Sequence, residues 1–97
     1  MKNIDINKID EILDEINLID IREEFEFENE CIAGAENIPM NELLTEPSKY
    51  LEKDKEYYLL CAHAVRSERA CSYLLSIGYN VINVTGGMAE YRGINRE

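Results

Sequence analysis

Ile9, Ile12, Leu13 and Ile16 recur at helical spacing among Asp, Glu, Lys and Asn, which predicts an amphipathic helix with Asn7 as its N-cap. Leu18-Ile19-Asp20-Ile21 is β-branched and too brief for a helix, so it predicts a short buried strand. Residues 22–30 carry five Glu and read as a solvated connection that Phe25 and Phe27 anchor to the body. Ala35-Glu36-Asn37-Ile38-Pro39 predicts a second strand stopped by its proline. Residues 41–50 give one or two helical turns around Met40, Leu43, Leu44 and Leu51, broken at Pro47.

Lys53-Asp54-Lys55 predicts a turn, and Tyr57-Tyr58-Leu59-Leu60 is the strongest strand, apolar on both faces like the centre of a parallel sheet. Cys61 falls at its carboxyl end. From Ser67 the pattern becomes helical, with Ala70, Cys71, Leu74, Leu75 and Ile77 as the apolar stripe and Gly78 as the stop. Residues 80–84 predict another strand, and Thr85-Gly86-Gly87 a turn into a last short helix around Met88 and Tyr91. Strands alternating with helices argue for an α/β fold, a mostly parallel central sheet flanked by helices. Such sheets bind ligands at the carboxyl ends of their strands, which is where Cys61 lies. No repeat or linker interrupts residues 1–97, so one domain is expected.

Composition narrows the function classes. The 97 residues are 45% hydrophobic and 31% charged with only Gly 5 and Pro 2, which suits one folded domain and excludes a disordered or fibrous chain. A net charge of -10 argues against nucleic acid and membrane surfaces as partners. The longest uninterrupted apolar stretch, Tyr57 to Ala62, is too short for a bilayer span, and residues 1–5 lack the apolar core of a secretory signal, so a cytoplasmic location is expected. The charge is uneven: seventeen of the twenty acidic side chains precede Cys61, whereas Arg66 and Arg69 follow it closely. Cys31, Cys61 and Cys71 are an odd number without a Cys-x-x-Cys pair, and His63 is the one histidine, so neither a disulfide framework nor a metal site is expected. Nothing in the chain calls for a cofactor.

Cys61-Ala62-His63-Ala64-Val65-Arg66-Ser67 joins a buried strand to a helix. A loop there can turn successive backbone N–H groups inward while the helix adds the positive end of its dipole. That cradle favours a thiolate, since helix N-termini and neighbouring cations lower a free cysteine's pKa from about 8.5. Taken alone, Cys61 reads equally as a small apolar residue ending a core strand. Cys71 lies on the helical stripe and reads as core.

Three blocks together resemble the rhodanese-like (sulfurtransferase) domain family across nearly the whole chain. Leu18 to Glu26, running on through Ile32-Ala33-Gly34-Ala35-Glu36-Asn37-Ile38-Pro39, is similar to the family's strand-end Asp-x-Arg signature. Cys61 to Ser67 resembles its Cys-x-x-Gly-x-Arg-Ser active loop, and Val84-Thr85-Gly86-Gly87-Met88-Ala89-Glu90-Tyr91 its closing Gly-Gly turn and aromatic. The resemblance implies a rhodanese-like three-layer fold. It makes Cys61 the nucleophile, which takes a sulfane sulfur from a small donor such as thiosulfate or from a persulfide-carrying protein, and passes it to a thiol or cyanide. Ala62, His63, Ala64, Val65, Arg66 and Ser67 would form the substrate loop, with Arg66 bracing it or meeting an anionic donor and His63 lining the mouth. Asp20 and Arg22 would support it from a neighbouring strand end.

Two positions depart from the family pattern. Ala64 stands where glycine is usual, and an alanine held at positive φ costs on the order of 1 kcal/mol. Glu30-Cys31-Ile32 stands where the family commonly has Gly-His-Ile, which reads as a packing change rather than a resolving thiol. Two alternatives remain open at this point: a binding or regulatory module whose loop Ala64 has disabled, and a thiol oxidoreductase using Cys61 with Cys31. A phosphatase ranks behind them, because only four residues separate Cys61 from Arg66 where the phosphatase loop of related architecture has five.

Overall fold

The computed structural model describes all residues from Met1 to Glu97. Five strands form one sheet: β1 (Lys2–Asp5), β2 (Leu18–Asp20), β3 (Glu36–Asn37), β4 (Glu56–Leu60) and β5 (Asn80–Thr85). Their spatial order is β1-β5-β4-β2-β3, and every neighbouring pair is parallel. Helices α1 (Glu24–Asn29), α2 (Met40–Thr45) and α3 (Val65–Ser76), with four 3₁₀ turns, make the connections.

The apolar run in β4 is explained by burial on both faces. Tyr57, Leu59 and Cys61 join a cluster of 13 buried residues with Ala70, Cys71 and Leu74 of α3 and Val81 of β5. Leu60 points the other way, into a cluster of 8 with Ile6, Ile9, Val84, Met88 and Tyr91. Strand side chains alternate between faces, so a strand covered on both sides has no polar position to spare.

The first segment departs from the expected helix. Residues from Ile6 to Glu11 and from Leu13 to Glu15 form two 3₁₀ turns, and Asp5 rather than Asn7 caps the first, accepting the Asn7 N–H at 2.8 Å. Ile6, Ile9 and Ile12 recur every three residues, the repeat of a 3₁₀ turn, and Ile12 (φ −123) interrupts any continuation. The polar edge strand β1 has only Ile4 half-buried and carries no local strand signal; it is made by pairing with β5. The segment after Arg22 is helix α1 rather than a connection, and Phe25 is 72% exposed, so it is not an anchor. Helix α3 begins at Val65, two residues before Ser67. Its buried stripe is Ser67, Ala70, Cys71 and Leu74, whereas Leu75 and Ile77 stay partly exposed. Gly78 ends it as expected, at φ +98, with the Tyr79 N–H donating to the Leu74 carbonyl.

The C-terminal segment folds back over the body. Tyr91 Oη donates to Asp10 Oδ1 at 2.6 Å, and an antiparallel bridge joins Ile32 to Arg96. Cys31 exchanges two backbone hydrogen bonds with Glu97 at 2.9 and 2.7 Å, so its buried thiol sits within a packed backbone ladder.

Candidate active site

Cys61 ends the central strand and is fully buried. Residues 62–64 make a tight bend into α3. Ala64 completes it in the left-handed region, φ 68 and ψ −3, the one non-glycine residue of the chain with positive φ. Ala64 occupies the N-cap position but has no side chain that can cap. The Cys61 sulfur does so instead: the Ser67 N–H donates to Sγ at 3.3 Å, the third-residue contact an N-cap oxygen normally makes. Cys61 Sγ in turn donates to Ser67 Oγ at 3.4 Å, and Ser67 Oγ donates to the Ala64 carbonyl at 3.2 Å. The backbone N–H groups of Ala62, His63, Ala64, Val65 and Arg66 have no acceptor within the protein. Cys61 therefore lies at the positive end of a 12-residue helix, beside a run of unpaired donors.

The loop is held from beneath by the Gly86-Gly87 turn. Met88 and Ala89 donate their N–H groups to the carbonyls of Cys61 and Ala62, each at 2.9 Å. Gly87 makes this approach possible, since a Cβ there would overlap the Ala62 carbonyl and lie 2.6 Å from the Cys61 carbonyl oxygen. Its φ of 65 and ψ of −176 belong to a region open essentially to glycine alone.

Arg66 does not turn toward Cys61. Its guanidinium forms a two-pronged pair with Glu26 of α1, at 2.8 and 3.0 Å, tying the start of α3 to α1. The Arg66 guanidinium holds the Glu26 carboxyl down at about 2. Of the two expected roles, the structure gives Arg66 the brace rather than contact with a donor. Asp20 and Arg22 form a second pair at the end of β2, both buried, with Arg22 also donating to the Glu30 carbonyl at 2.7 Å. Asn37 adds donors to the carbonyls of Asp20 and Arg22 at 3.0 and 2.9 Å. His63 and Val65 are exposed, and Ala62 and Ala64 half-exposed.

Glu26 and Asn37 had no assigned role in the sequence, because their partners lie 40 and 17 residues away and no local pattern announces them. Cys71 belongs to the core, where burial and the neighbouring Cys61 push its thiol up to about 12. All three cysteines are free and buried. The two grooves of the molecule lie elsewhere. One runs along α2 past Asn41 and Tyr50; the other sits by Asn17, Gly34 and Glu36 at the amino ends of the strands. No group of three or more His, Cys, Asp or Glu side chains is arranged to hold a metal ion.

This architecture matches known proteins. The chain is 39% identical over 80 residues to YtwF of Bacillus subtilis, covering 82% of this chain and 77% of that one. It is 33% identical over 79 residues to a protein of Allochromatium vinosum named sulfurtransferase, covering 80% and 73%. Among solved structures, SSP1007 of Staphylococcus saprophyticus superposes with a TM-score of 0.89 at 32% identity, covering 100% of this chain and 99% of that one. A rhodanese-like domain protein of Staphylococcus aureus superposes at 0.88 with 30% identity, covering 100% and 97%. The family model described as rhodanese-like domain matches residues 5–93, and with the parallel sheet and the strand-end cysteine loop it establishes that this chain belongs to the rhodanese-like domain family.

Proposed function

We propose that this chain is a sulfurtransferase that carries sulfur as a persulfide on Cys61, with residues 1–97 acting as one domain. The Cys61 thiolate attacks the outer sulfur of a sulfane donor, whose sulfur–sulfur bond breaks as the donor remnant leaves with the electron pair. A thiol or cyanide then attacks the terminal sulfur, and Cys61 leaves as thiolate. Atoms and electrons balance without a cofactor.

The observation that carries this reading is the position of Sγ: it accepts the Ser67 N–H at 3.3 Å where α3 begins, beside five N–H groups with no acceptor. Donors fixed before the reaction stabilise charge on sulfur without reorganising, which is how preorganised anion sites act. Ala62, His63, Ala64, Val65, Arg66 and Ser67 supply this loop, and the Asp20–Arg22 pair fixes the strand end beside it. Ala64 has kept the left-handed bend, which argues against a loop disabled by loss of its glycine. Arg66 is spent on Glu26, which leaves the loop without the arginine that a tetrahedral oxyanion would need. The relative named sulfurtransferase supports the same reaction class.

Production of thiocyanate from cyanide, with thiosulfate or free cysteine persulfide as donor, tests the reading. Wild-type protein is expected to turn over and Cys61→Ser to show no turnover while remaining folded, because a hydroxyl at that site cannot carry sulfane sulfur. Equal turnover by the serine variant would reject it.

A further inference from the structure

We infer that the sulfur donor, on the sulfurtransferase reading above, is a protein presenting a cysteine persulfide on a basic surface rather than a small dianion such as thiosulfate. Three observations converge. First, small-molecule substrates are held in concave pockets, and neither groove of this molecule includes a residue of the 61–67 loop. Cys61 itself has no exposed surface, so no preformed recess waits for a free anion. Second, both arginines of the site are already neutralised, Arg66 by Glu26 and Arg22 by Asp20. Arg69, the other cation on α3, stands beside the exposed Glu68.

Third, the surface around the loop has the character of a docking face. Phe25, 72% exposed, precedes Glu26 on α1, and Val65, 58% exposed, precedes Arg66 on α3. The Glu26–Arg66 pair thus holds these two bare apolar side chains on adjoining elements at the loop. Helix α1 and its cap add Glu23, Glu24 and Glu28, all exposed and none in an ion pair, within a chain of net charge -10. An apolar centre with an acidic rim complements a basic partner and repels a dianion. In the transfer, Cys61 Sγ bonds to the outer sulfur of the partner's persulfide, the partner's own sulfur–sulfur bond breaks, and its cysteine departs as thiolate.

The test uses the full chain and two short peptides, each with one cysteine persulfide flanked by lysines or by glutamates, with thiosulfate as a third donor. The rate of sulfur addition to Cys61 is followed by mass. The lysine peptide is expected to load the protein about tenfold or more faster than the glutamate peptide or thiosulfate at low salt, with the ratio falling as salt rises. The double variant Glu24→Lys, Glu28→Lys should reverse the order of the two peptides. Sulfur addition that is as fast from thiosulfate as from the lysine peptide, or a peptide ratio indifferent to the double variant, overturns this inference and leaves the sulfurtransferase reading standing. If no donor adds sulfur to Cys61, the sulfurtransferase reading fails and takes the inference with it.

Discussion

Ala64 holds a backbone conformation that costs an L-residue about 1–2 kcal/mol relative to right-handed helix, and it does so at the bend that brings Cys61 under α3. Its departure from glycine was visible in the sequence, and so was the need for a tight turn between Cys61 and the helix. Whether the backbone had adapted to the alanine was not visible, because φ at a loop residue is set by the elements it joins. Since the left-handed turn persists, Ala64→Gly should raise stability by up to about 1 kcal/mol, with turnover at or above that of the wild type. Thermal melting and thiocyanate production, measured on the same preparations, check this; a less stable or less active glycine variant would show that the methyl group is built into the working loop. Cys61 and Ser67 were legible by residue type and spacing. The direct Sγ contact to the Ser67 N–H was not, because it depends on α3 starting at Val65 rather than at Ser67.

Two elements meet at the Glu26–Arg66 pair, and its protonation gives α1 a pH-dependent hold on α3. Glu26 titrates at about 2 in the folded protein against an ordinary 4.5, so the pair contributes fully above the ordinary value and is lost as pH falls from 4.5 toward 2. Both side chains keep some contact with solvent, which limits the contribution to about 1 kcal/mol. Glu26→Gln should therefore lower stability by that amount at neutral pH, and the gap should close near pH 2. Denaturation midpoints across that range decide it, and a gap independent of pH would mean that the pair contributes nothing.

The turn after β5 supports the same loop from the other side. Gly87→Ala forces a Cβ into the Ala62 carbonyl at a glycine-only φ and ψ, so it should cost about 2 kcal/mol or more and depress turnover. A variant that melts and turns over like the wild type would remove this turn from the account of the site.

The elements legible in advance are those whose pattern is local and strong: β2, β4, β5 and the body of α3. By contrast, β1 and α1 depend on pairing and packing with distant segments. The N-terminal isoleucines fit both a three-residue and a 3.6-residue repeat over so short a run.

At the scale of the molecule, the sheet order β1-β5-β4-β2-β3 puts the cysteine strand at the centre, with the ends of β2 and β5 supplying the Asp20–Arg22 pair and the Gly86-Gly87 turn on either side. The alternation of strands and helices predicted the parallel sheet, whereas the strand order needed the structure. No helix is long and apolar enough to cross a membrane. Everything in this arrangement converges on one sulfur atom, so the central claim is a statement about mass. Protein treated with free cysteine persulfide, desalted and weighed intact, should gain one sulfur that maps to Cys61 and is removed by cyanide, while the Cys61→Ser variant gains none. Wild-type protein that takes up no sulfur, or a serine variant that takes up as much, would contradict the account.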